Sequence, residues 1–278
     1  MKKIILWSLA LIITLAAAVY QRHTGPTYPK ELKINLNSKE YDLKLVRSLA
    51  LNERSEVKLD INDPAIKAKL FFKRYKSNDE YQAVDFKFLS EIGFKGFYAE
   101  VTQQPAAGKI QYYFEITDGK GTQTYLKDIP VVIRFKGSVP AYILIPHILF
   151  MFVAMLFSTL AGLMSVIKYP AYKQYSIYTL ALFIAGGLVL GPIVQLYAFG
   201  DLWTGIPFGW DLTDNKTLIA LIFWVLAVLM NRKKERPFYT ALAAFVLLLV
   251  YSIPHSMFGS ELDINSGQVT QGIILSLF

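Results

Sequence analysis

Residues 199–217 read Phe-Gly-Asp-Leu-Trp-Thr-Gly-Ile-Pro-Phe-Gly-Trp-Asp-Leu-Thr-Asp-Asn-Lys-Thr. This short connection holds two Trp, three Asp, an Asn and a Lys, with apolar runs on either side at 176–199 and 218–230. A loop that only links two helices needs none of those side chains. The downstream run alone makes about 20 Å of helix, short of the roughly 30 Å of a bilayer core. The helix is therefore expected to begin earlier, with Asp211 as its N-cap and Asp214 in its first turn, where the backbone dipole favours carboxylates. Asp214, Asn215 and Lys216 then sit at the outer boundary of a membrane, with Trp203 and Trp210 in its aromatic belt.

Working outward, residues 142–167 are apolar but for Pro146 and His147, and 238–253 form a further apolar run stopped by Pro254. Pro237 is suited to a first helical position, where its missing N–H costs nothing. At the N-terminus Lys2 and Lys3 precede an apolar stretch over 4–20. Ala16-Ala17-Ala18 offers a signal-peptidase site, so residues 1–22 are either a retained anchor or a cleaved signal. Lys2/Lys3, Lys168/Lys173 and the Arg232–Arg236 cluster all fall on one side if five spans are counted, as the positive-inside rule expects. The expected location is a bacterial-type plasma (inner) membrane, with the N-terminus cytoplasmic. Residues 23–138, the Trp loop and the C-terminus would lie outside. The 54% hydrophobic content and mean hydropathy of +0.35 fit a membrane unit over 139–278.

Residues 23–138 differ in pattern. Alternation at period two recurs at 31–36, 41–47, 56–61, 67–75, 83–89, 94–101, 109–117 and 130–135, separated by turn residues such as Asn62-Asp63-Pro64 and Asp118-Gly119. Short strands with frequent turns predict an antiparallel β-sandwich. The run Lys109-Ile110-Gln111-Tyr112-Tyr113-Phe114-Glu115-Ile116-Thr117-Asp118-Gly119 resembles a late strand and turn of immunoglobulin-like or fibronectin type III-like domains. That resemblance implies a module that binds or spaces a protein partner, and no chemistry.

The absence of cysteine excludes disulfides, thiolate metal sites and a lipoprotein anchor. The net charge of +8 does not indicate nucleic acid, because the bases are interleaved with acids on strand-like segments. No nucleophile elbow, His-Glu-x-x-His or P-loop is present to carry hydrolase or ATPase chemistry. The spans hold almost no ionisable groups beyond His147, with Gln195 the next most polar residue, which argues against an ion or proton transporter.

His147, near the outer end of one span, and His255, just past the last, reach the side of the Trp loop by helix counting. Imidazoles there are suited to haem iron or another metal. Phe199-Gly200-x-x-Trp203, Trp210-Asp211, Thr217-Leu218-Ile219 and Trp224 resemble the tryptophan-rich loop of the haem-handling membrane proteins of cytochrome c maturation. The resemblance implies His147 and His255 as axial ligands, with Trp203, Trp210 and Asp211 at the haem edge. Phe199 stands where that family has a Trp, and Gly205-Ile206-Pro207-Phe208 lengthen the loop. An alternative is an oxygen-ligated cation such as Ca²⁺ at Asp201, Asp211, Asp214 and Asn215. The expected role is a non-enzymatic membrane assembly or scaffold protein. The rival expectation is a purely structural subunit.

Overall fold

The computed structural model describes residues 1–254, 261–264 and 269–270. Of these, 1–26 and 139–254 form one compact unit, and 27–138 with 261–264 and 269–270 form the other.

In the β unit, strands β1 (Lys30–Leu36) and β2 (Lys39–Leu45) form a hairpin. Its turn residues Asn37 and Ser38 both have positive φ, as a two-residue hairpin of native twist requires. There follow β3 (Ser48–Ala50), β4 (Glu56–Leu59), β5 (Lys67–Arg74), β6 (Gln82–Asp85), β7 (Lys87–Glu91), β8 (Phe94–Glu100), β9 (Lys109–Asp118), β10 (Gly121–Tyr125) and β11 (Val131–Lys136). A six-stranded sheet runs β3-β11-β9-β5-β6, with β10 also on β9. Strand β9 is long enough for β11 to pair with its first half and β10 with its second, while β5 lines its other edge. A separate sheet runs β4-β8-β7. Leu43 and Leu45 from the hairpin, Leu59 and Phe97 from the small sheet, and Leu70, Phe114 and Ile133 from the large one share a single buried core.

This corrects the expected immunoglobulin-like sandwich. Strands β1 to β11 fall into three sheets rather than two facing antiparallel ones, and β3 joins β11 in parallel. The predicted strand 83–89 is in fact two: the chain changes sheets at buried Phe86, so that β6 pairs with β5 and β7 with β8. Alternation reports which residues face a core; it does not report partners. The short pair β12 (Glu261–Leu262) and β13 (Val269–Thr270) also belongs to this unit, where Glu261 pairs with Lys76 and Lys109.

At the β5 end, Arg74 grips Asp79 through Nε–Oδ2 at 2.6 Å and Nη2–Oδ1 at 2.9 Å. Those bonds hold the Asp79 carboxyl down at about 2, from 3.8. A depressed carboxylate contributes stability that is present above 3.8 and lost as pH falls to about 2. The difference in unfolding between the parent and Asp79→Asn should therefore shrink across that window and vanish below it. The effect should be small, because the pair is exposed.

The membrane unit contains α1 (Lys2–Thr24), α2 (Ala141–Val166), α3 (Tyr172–Phe183), a π-helical turn (Ile184–Leu190), α4 (Gly191–Phe199), α5 (Leu212–Lys233) and α6 (Pro237–Ser252). Among the described residues four helical segments are long and apolar enough to cross a membrane: α1, α2, the continuous Tyr172–Phe199 and α5. The chain is a multi-pass membrane protein. Five spans are expected from the sequence and four segments reach that length; α6 is apolar but has 16 residues, about 24 Å of helix.

Small residues set the close approaches. A Cβ on Gly162 of α2 would lie 2.5 Å from the Ala244 Cβ of α6, the kind of backbone contact that stabilises helix pairs in lipid. Gly186 and Gly187 do the same for the π turn against Met151 of α2 and Thr217 of α5. Helix α1 packs Leu6 and Ala10 against Leu160, Met164 and Tyr172, with Trp7 edge-on to Phe157 and Tyr175.

Candidate functional site

Helix α4 ends at Gly200, whose φ of 93° is left-handed and ordinary only for glycine. The loop that follows is held by side chains of α4 and α5. Asp214 Oδ2 accepts the Thr204 amide at 2.6 Å, the Thr204 hydroxyl at 3.2 Å and the Gln195 amide at 3.2 Å. Gln195 also donates to Thr204 Oγ1 at 2.7 Å. One residue on, Asn215 Oδ1 accepts the Ile206 amide at 2.7 Å. Asp211 caps α5 as its position predicts, Oδ1 accepting from the amides of Thr213 at 2.8 Å and Asp214 at 3.1 Å. The Trp203 indole N–H donates to the Ile206 carbonyl at 3.1 Å, and the Asp211 amide to the Thr204 carbonyl at 3.1 Å.

The latch demands glycine at 205. A Cβ there would sit 2.6 Å from the Asp214 Cβ and 2.8 Å from Asn215 Oδ1. Behind the latch the surface is different: Trp210 is 63% and Phe208 79% exposed. Asp201 is exposed as well.

Lys216 does not reach outward, as an interfacial lysine would. It is 3% exposed, and its Nζ donates to the carbonyls of Ile253 at 2.8 Å and Pro254 at 3.4 Å. These carbonyls lie at the C-terminal end of α6, where the helix leaves its last acceptors unpaired. Lys216 thus fastens the start of α5 to the end of α6.

His147 sits in α2 one residue after Pro146, half-buried. Its Nδ1 lies 2.9 Å from the Gly186 carbonyl oxygen. The π turn presents this oxygen, which also accepts the Gly191 amide. A carbonyl can only accept, so Nδ1 carries the proton and the neutral ring leaves Nε2 as a lone-pair nitrogen. His255 lies outside the described residues.

The polar atoms of Asp211, Asp214 and Asn215 detailed above all accept protein N–H groups. Among the described residues no group of three or more His, Cys, Asp or Glu is placed to hold a metal ion. Sequence reasoning singled out Gln195 for its polarity in an apolar span but not its partners. It passed over Thr204 and Gly205, whose importance depends on a helix that follows them in sequence. No protein-family model matches the chain, and no curated protein matches its sequence.

Proposed function

We propose that this chain is a non-enzymatic membrane assembly or scaffold protein that uses its β unit to engage a protein partner and holds haem at the outer membrane face. In this reading His147 and His255 are the axial ligands, Trp203 and Trp210 offer flat apolar surfaces, and Asp211 fixes the backbone beside Trp210 by capping α5. The N-terminus is cytoplasmic in a bacterial-type inner membrane. The observation that carries the reading is the His147 hydrogen bond. An Nδ1–H donated to a backbone carbonyl is the arrangement that sets tautomer and ring orientation in metal-binding histidines. When bound, the haem would supply a redox-active iron; the chain's own part is to present Nε2 and stacking surface.

The test is an absorption spectrum of the detergent-purified protein, oxidised and reduced, beside His147→Ala and His255→Ala. A Soret band that weakens in both variants is the expected result. A protein that stays colourless after haem is supplied overturns it. That outcome would favour a purely structural subunit, a reading supported by the way the polar groups around Thr204 bind one another.

A further inference from the structure

The end of the membrane unit that carries the α2–α3 and α5–α6 turns gathers positive charge from three separate segments. Leu6 and Trp7 of α1 pack on Leu160, Phe157 and Tyr175, which brings Lys2 and Lys3 to this end. Lys168 stands at the close of α2 with φ of 53°, exposed. The α5–α6 turn is drawn in by Asn231, whose Oδ1 accepts the Tyr172 hydroxyl at 2.8 Å and the Arg236 amide at 2.7 Å. That turn exposes Arg232, Lys233, Lys234 and Arg236. Lys173 is tied to Glu235 at 3.0 Å. Between residues 139 and 254 the other carboxylates are Asp201, Asp211 and Asp214, all in or beside the Trp loop. Within the described part of the membrane unit, Glu235 is therefore the one carboxylate in the turns that carry this basic cluster. Phe238 is 68% exposed beside these bases, an aromatic placed as at a headgroup boundary.

We propose that this end is a binding surface for anionic phospholipid headgroups. The bases come from α1, the α2–α3 turn and the α5–α6 turn, and the start of α3 is tied to the α5–α6 turn through Tyr172–Asn231 and Lys173–Glu235. Each base close to a membrane surface strengthens attraction to anionic lipid. The surface goes beyond the proposed function and holds whether or not haem binds.

The test uses the full-length chain purified in detergent and titrated with short-chain phosphatidylglycerol, phosphatidylcholine or inorganic phosphate, bound lipid being read by native mass spectrometry. Phosphatidylglycerol should be retained in preference to phosphatidylcholine. Its affinity should fall about fivefold for each of Lys168→Ser, Lys233→Ser and Arg236→Ser, and should stay unchanged in Lys67→Ser of the β unit. Raised salt should weaken retention by the unaltered chain, which needs no variant to fold. Equal retention of the two lipids, or binding indifferent to salt, overturns the proposal. So does competition by inorganic phosphate at the same concentration as the lipid, which would mark a free-anion site.

Discussion

Replacing Asp214 with alanine should unfasten the loop and destabilise the membrane unit by at least about 2 kcal/mol. One oxygen, 6% exposed as part of its residue, accepts two donors from Thr204 and one from Gln195. Removing it strands the two buried Thr204 donors, while Gln195 keeps its bond to Thr204 Oγ1, and each buried unpaired polar group costs about 1–3 kcal/mol. The Thr204 amide, at 2.6 Å, has the shortest bond and stands to lose most. Thermal unfolding in detergent reads the loss of stability, and limited proteolysis between residues 200 and 211 reads the loosening. Asp214→Asn keeps a carbonyl oxygen of the same reach and should fall between parent and alanine. An alanine variant as protease-resistant as the parent would show that the loop stands without its latch.

Trp224→Ala should cost about 3 kcal/mol, the lower end of the range for truncating a large buried aromatic. Trp224 is fully buried among Ala154, Ala161, Ala220, Ala227, Ala243 and Ala244, with Phe183 and Leu247. Alanine side chains have no rotamers with which to fill the space. In a membrane the loss is one of packing rather than of hydrophobic transfer, since lipid tails are as apolar as the core. Trp224→Phe should recover most of the stability. If the alanine variant unfolds with the parent, the bundle repacks more freely than its small residues suggest. The resemblance drawn from the sequence grouped Trp224 with the loop motif; the fold makes it the central side chain of the helix core.

What the sequence made legible was set by local patterns. The apolar runs marked the helices, and Asp211 marked the start of α5 because a cap acts on its own helix. Alternation marked most core-facing strands. Pairing was not legible: nothing local says that the chain leaves one sheet at Phe86, that β3 lies parallel to β11, or that β10, with almost no buried residue, exists. Lys216 read as an interfacial lysine because its acceptors lie nearly forty residues on, at Ile253 and Pro254. The latch was hidden for a related reason, as Thr204 and Gly205 matter only once Asp214 and Asn215 are folded over them.

The π turn has a further consequence. Its bonds reach back five residues rather than four, so it holds one residue more than a regular helix would over the same rise. Helices α3 and α4 therefore share an axis but not an angular index: side chains beyond the turn are rotated by about 100° from where unbroken winding would put them. The stripe that buries Tyr172, Thr179 and Phe183 does not simply continue into the next half. That slip in phase lets one span direct Phe183 into the helix core, its Gly186 carbonyl to His147 and Gln195 to the latch. A single inserted residue thus allows one rod to serve three separate neighbours.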